Sequence, residues 1–185
     1  DYRRRAAGEL TLSRDILARH GVEARWAAYS FGEHGPELLA LVRENGFRLG
    51  FSQDPGALGL RSDPFAIPRF AVVGSVADFD LFRERMGYLP LAVTDRWPER
   101  GTLPNPSQKR YGATVSDPSR YDPLSANLFV SELGRLPARF DPASGRIEAQ
   151  SGVALAKHFN RVIVTLKDKD TGRFALVSWS IVKNP

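Results

Sequence analysis

The chain of 185 residues has no cysteine, which excludes a disulfide framework and any C-x-x-C metal spacing. It does not fix the compartment, because disulfide-free proteins occur on both sides of a membrane. Histidine is scarce as well. His20, His34 and His158 are the three present, without an H-x-x-x-H spacing, so this chain alone does not supply the three or four converging ligands of a zinc site. No run of 18 apolar residues occurs, which excludes a helical membrane span. The pattern shows no helix-turn-helix, no aromatic RNP-like strand and no zinc module, and nucleic acid is therefore not an expected partner. Internal repeats and low-complexity tracts are lacking too. No signal peptide is visible, although the chain opens on Asp1 and a sequence that starts within a domain would not show one.

What is present suits one large or two small domains. Apolar residues make up 42% of the chain, enough for a core. The 26 basic residues exceed the 21 acidic ones, giving a net charge of +5 and a pI near 9.8. Arg3 to Arg5 and Lys109-Arg110 form clusters. A general solubility charge is the simplest reading, with anionic glycans or lipid headgroups as alternatives.

The stretch from Trp26 to Phe47 reads as strand, turn, helix and strand. Ala24 to Tyr29 is a short apolar run suited to a buried strand. Pro36 takes the first helical position, where its missing N–H costs nothing. Leu38, Leu39, Leu41 and Val42 form an apolar stripe, and Gly46 suits a left-handed helix end. Phe47 to Phe51 begins the next strand. Ligands of α/β sheets gather at the carboxyl ends of strands, which places the expected rim at Tyr29 to Gly35. Further on, Asp54 and Asp63 flank a Gly/Pro-rich connector, and Asp78 caps a helix ending near Gly87.

Between Tyr88 and Gly112 prolines at 90, 98, 104 and 106 interrupt the pattern, so 91–112 is expected to be a linker. Downstream, Ala126–Glu132, Leu136–Phe140, Arg146–Gln150, Arg161–Lys167 and Arg173–Val182 are short runs rich in β-branched and aromatic residues. The last two read as a hairpin across Asp168 to Gly172. A small antiparallel β-sandwich over 113–185 is the expectation, with Trp179 in its core.

Several stretches resemble the polysaccharide deacetylases with a NodB homology domain, the fourth carbohydrate esterase family. They are Ala28-Tyr-Ser-Phe-Gly32, Pro36-Glu-Leu38, Gly46-Phe-Arg48 and Asp63-Pro-Phe-Ala-Ile-Pro-Arg-Phe70. More weakly, Ser116-Asp117-Pro118 and Ser178-Trp-Ser180 echo a β-rich segment that follows the domain in some members. The resemblance implies an α/β fold followed by all-β: residues 1–90 as the C-terminal half of a distorted (β/α) barrel, then the sandwich. The family's Asp-Asp strand end and His-x-x-x-His loop have no counterpart here, so the chain is expected to begin about halfway through the barrel, with the missing half or a second copy as partner.

The implied function is removal of N-acetyl groups from amino-sugar polymers by metal-bound water. The parent enzyme would use a divalent metal such as zinc, with no metal held by this chain, which alone would be inactive. The backbone N–H of Phe31 would face the oxyanion, and Arg69 would pair with the catalytic carboxylates. Tyr29, Ser30, His34, Trp97 and Tyr121 are the implied substrate contacts. The alternative is a non-catalytic glycan-binding or assembly module. The resemblance implies a periplasmic or secreted location.

Overall fold

The computed structural model describes residues 1–74, 78–103, 105 and 107–183. Its first part holds α1 (Tyr2–Arg19), β1 (Trp26–Ala28), α2 (Pro36–Glu44), β2 (Leu49–Phe51) and α3 (Phe79–Gly87). β1 and β2 pair in parallel, Trp26 opposite Leu49 and Ala28 opposite Phe51. A parallel bridge from Phe51 to Ile67 sets the 64–67 backbone along the other edge of β2.

Helix α2 forms where the sequence directs it. Pro36 opens it, Leu41 and Val42 are buried on its inner face, and Gly46 at φ 77° ends it. In the turn that follows, the Phe47 N–H donates to Val42 O at 3.2 Å. Tyr29, Val42 and Phe47 make the buried centre of this small unit, with Leu38, Leu39 and Phe65 packed around them. The Asp78 carboxylate caps α3 by accepting the N–H groups of Asp80 and Leu81 at 2.9 and 3.0 Å. Among the described residues no helix is long and apolar enough to cross a membrane.

The expected half of a (β/α) barrel is not there. Beyond β2 the chain leaves the parallel pairing and runs through a Gly/Pro-rich loop to Phe70, with no further strand–helix repeat among the described residues. Pro55, Pro64 and Pro68 lack the N–H groups that a barrel strand would donate. The fold is instead mostly β.

The second part carries β3 (Leu89–Pro90), β4 (Val93–Trp97), β5 (Gly101–Leu103), β6 (Arg110–Val115), β7 (Tyr121–Val130), β8 (Gly134–Leu136), β9 (Arg139–Asp141), β10 (Arg146–Gln150), β11 (Phe159–Asp168) and β12 (Phe174–Lys183). One sheet has the order β4-β6-β10-β9, the other β3-β12-β11-β7-β8 with β5 also on β12. The stretch 91–112 is therefore not a linker. It supplies β4 and β5 and starts β6, because Pro98 sits beyond the end of β4, where no ladder N–H is needed; Pro104 and Pro106 lie outside the described residues.

Alternation fixes the sandwich. On β11 Val162, Val164 and Leu166 are buried while their neighbours are half-buried or exposed. They meet Tyr111, Ala113 and Ile147 of the facing sheet in one core. Each such side chain contributes about 1.5–3 kcal/mol by leaving water. Trp179 is fully buried there, and its indole N–H donates to Pro98 O at 2.8 Å.

Strand β12 departs from one-sided burial. Ala175, Trp179 and Ile181 enter the sandwich core, whereas Leu176, Ser178 and Ser180 on its other face are buried too. The small N-terminal unit covers that outer face, as the contacts of Ser178 and Ser180 show below.

Candidate functional site

Strand β2 points its carboxyl end at the sandwich and delivers Ser52 and Asp54 there. The Ser52 hydroxyl donates to Ile67 O at 3.1 Å and accepts the Asp54 N–H at 3.2 Å, fixing the turn. Asp54 is 2% exposed, so its charge needs partners. Its Oδ1 accepts from the Ser180 hydroxyl of β12 and from Nε of Arg161 on β11 at 3.4 Å. Beside it, the Ser178 hydroxyl donates to Pro55 O at 2.5 Å. One carboxylate and one carbonyl thus pin the N-terminal unit to the outer face of the sandwich.

His34 lies behind Asp54. Its ring stacks on Tyr29, centroids 4.9 Å apart and planes 13° off parallel. The Tyr29 hydroxyl donates to Phe65 O at 2.7 Å, and burial raises its pKa above the ordinary tyrosine value. Gly50 makes this reach possible, since a Cβ there would collide with both the hydroxyl and Phe65 O. Nδ1 of His34 sits 2.8 Å from Gly32 O. A carbonyl only accepts, so Nδ1 carries the proton and Nε2 of the neutral ring presents a lone pair. That nitrogen is 3.6 Å from Asp54 Oδ2, and neither atom has a hydrogen-bond partner among the described residues. Burial lowers the His34 pKa, opposed by the Asp54 charge, and the ring is neutral at pH 7.

A cavity of about 540 Å³ opens at the seam between the two parts, lined by the 54–68 loop on one side and by β3, β4 and β12 on the other. Its walls are apolar at Ala57, Leu60, Pro68, Leu91 and Leu176, and charged at Asp54, Asp63, Arg96 and Arg100. Arg96 reaches it because its strand partner is Ala113, an inward-facing core residue. The adjacent Trp97 takes the outer face. Neither Arg96 nor Arg100 makes an ion pair among the described residues, and Nε of each is buried without a partner. Burial, and then the neighbouring Arg100, lower the Arg96 pKa to about 10, against the pull of Asp54 and Asp63. Arg61 at the rim is answered by Asp117 at 3.5 Å.

The expected site residues scatter. Tyr29 and His34 meet, but both are buried in the small unit rather than lining the cavity. Ser30 and Phe31 turn outward between them. Phe31 is 84% exposed with φ 56°, so its backbone adopts the left-handed region at the surface. Arg69 is exposed and donates through Nε to Ser52 O at 3.0 Å, a backbone carbonyl and not a carboxylate. Tyr121 is buried in the sandwich core and offers no platform. Trp97 lies flat over Gly112, where a Cβ would strike its ring at 2.6 Å, with the Arg146 guanidinium 5.0 Å above.

Sequence reasoning missed Arg96, Arg100 and the role of Asp54. Asp54 follows β2 as Tyr29 follows β1, so the strand-end rule applied to both strands would have found it. Two arginines in Arg96-Trp-Pro-Glu-Arg100, beside a run otherwise read as linker, were the other available signal.

No family model and no curated protein matches the chain. Solved structures similar to about half of it include CopC from Methylosinus trichosporium OB3b, at 13% identity over 51% of this chain and 94% of that one, with a TM-score of 0.41. Another is PcoC, a methionine-rich copper resistance protein from Escherichia coli, at 10% identity over 52% and 100%, with a TM-score of 0.39. Likeness at that level carries no statement about what this chain binds. This chain has a single methionine, and among its described residues no group of three or more His, Cys, Asp or Glu is placed to hold a metal. No family model supports the motif resemblance, and among the described residues no barrel half is present. The deacetylase expectation is overturned, and nothing here favours the glycan-binding alternative in its place.

Proposed function

We propose that the chain is a binding module for a small organic anion, taken up in the cavity at the seam and held by Arg96 and Arg100. The observation that carries this reading is the pair of unanswered guanidinium groups on the wall of a 540 Å³ cavity that also carries an apolar face. Half-buried cations without carboxylate partners are costly. An oxyanion supplied by a ligand offsets that cost, and the planar fork of arginine suits a carboxylate or phosphate better than lysine would. The apolar wall serves the body of the ligand, as in most small-molecule sites of this size.

Binding rather than catalysis is the reading because the imidazole nearest the cavity is sealed behind Asp54 with its side chain 0% exposed. The periplasmic or secreted location is kept as part of this proposal. Calorimetric titration with 4-methylpentanoate, succinate and inorganic phosphate tests it. At least one is expected to bind, and Arg96→Ala and Arg100→Ala are each expected to weaken it about tenfold. No binding by any of them, or binding indifferent to both substitutions, would contradict it.

A further inference from the structure

The cavity holds charge of both signs, kept apart. Asp54 is engaged through Oδ1 by Arg161 and Ser180, while its buried Oδ2 faces His34, out of a ligand's reach, and Arg61 is paired with Asp117. That leaves Arg96 and Arg100 on the sandwich side and Asp63 on the loop side. Asp63 accepts the Phe65 N–H through Oδ1 at 2.9 Å. Asp63 is half-buried, and among the described residues its carboxylate makes no further hydrogen bond and no ion pair with either arginine. Unpaired opposite charges on one cavity persist when the fold holds them too far apart to meet directly.

A plain anion would satisfy the arginines while facing the Asp63 carboxylate, a like-charge contact that lowers affinity. A ligand with a cation at its other end answers all three groups. We propose that the occupant is a zwitterion: an α-amino acid or dipeptide with an apolar side chain, its carboxylate on Arg96 and Arg100, its ammonium on Asp63. The side chain lies against Ala57, Leu60, Pro68, Leu91 and Leu176. This inference rests on the anion-binding reading above and adds to it the ligand's cationic end.

The test compares ligands that differ only in the ammonium group: L-leucine against 4-methylpentanoate, and L-leucyl-L-leucine against its N-acetyl form. Calorimetry on the full chain is expected to show one amine-bearing ligand binding about tenfold more tightly than its uncharged-end counterpart. Asp63→Asn, which keeps an Oδ1 to accept the Phe65 N–H, is expected to abolish that preference while leaving the affinity for 4-methylpentanoate equal or higher. Equal affinities within both pairs for the wild-type protein would overturn the zwitterion and leave the anion site standing. So would an Asp63→Asn variant, folded by circular dichroism, that keeps the preference. Failure of all four ligands would overturn this inference, and failure of succinate and inorganic phosphate as well would remove the anion reading with it.

Discussion

The sandwich and the N-terminal unit are held together by different means. The sandwich closes a broad apolar core between two sheets, from Tyr111 and Ile147 to Trp179. Among the described residues the N-terminal unit buries few apolar side chains, chiefly Tyr29, Leu41, Val42 and Phe47, and α1 buries none. A unit with so little core is marginal alone. It borrows stability from the sandwich through polar contacts, Asp54 to Arg161 and Ser180, and Ser178 to Pro55. Apolar burial builds the larger part, and directional polar bonds position the smaller one, which leaves room at the seam for a cavity.

The comparison breaks most severely at Trp179. Trp179→Ala empties the sandwich core and is expected to cost about 3–5 kcal/mol, lowering the stability of both parts together in urea denaturation. Next comes Asp54→Ala, which strips the partner from Arg161 and Ser180. Removing one side of a buried pair costs about 3 kcal/mol or more, but here the loss is expected to fall on residues 1–70, whose amides exchange faster while β11 and β12 stay protected. Uniform loss across both parts would show that the two do not differ as described. A smaller effect is expected from Gly50→Ala, about 1–3 kcal/mol by overpacking, as the new methyl displaces the Tyr29 hydroxyl from Phe65 O; circular dichroism during thermal unfolding reads it.

The smallest expected effect is pH-dependent. His34 has a lowered pKa in the folded state, so above about pH 6.5 neither folded nor unfolded chain binds a proton there. As pH falls through 6.5 the unfolded chain takes up the proton first, and stability drops until the folded pKa is reached. The slope is at most about 1.4 kcal/mol per pH unit. Urea denaturation at pH 7.5 and 5.5 is expected to show a larger loss for the wild-type protein than for His34→Gln. Equal losses would mean that the buried ring does not resist protonation.

Much of this was legible from residue patterns, and unevenly. Pro36, Gly46 and the Leu41–Val42 stripe announced α2, and the β-branched run Arg161–Lys167 announced β11. Strands β4 and β6 were hidden by the prolines around them and by Gly112, which reads as a turn former but makes room for Trp97. The barrel expectation grew from matched motifs, not from periodicity, and the prolines of the 54–68 loop spoke against it. The candidate site was the least legible part, because Asp63 lies on a loop of the first unit and Arg96 on a strand of the second. Only the docking of Asp54 onto β11 and β12 brings those walls face to face.

The most direct test is hydrogen exchange on the full chain with and without a saturating concentration of the tightest binder among 4-methylpentanoate, succinate and inorganic phosphate. A site at the seam predicts slower exchange in three separated stretches at once: 54–68, 91–97 and 175–178. Protection confined to one of the two parts, or none in the 54–68 loop, would contradict it.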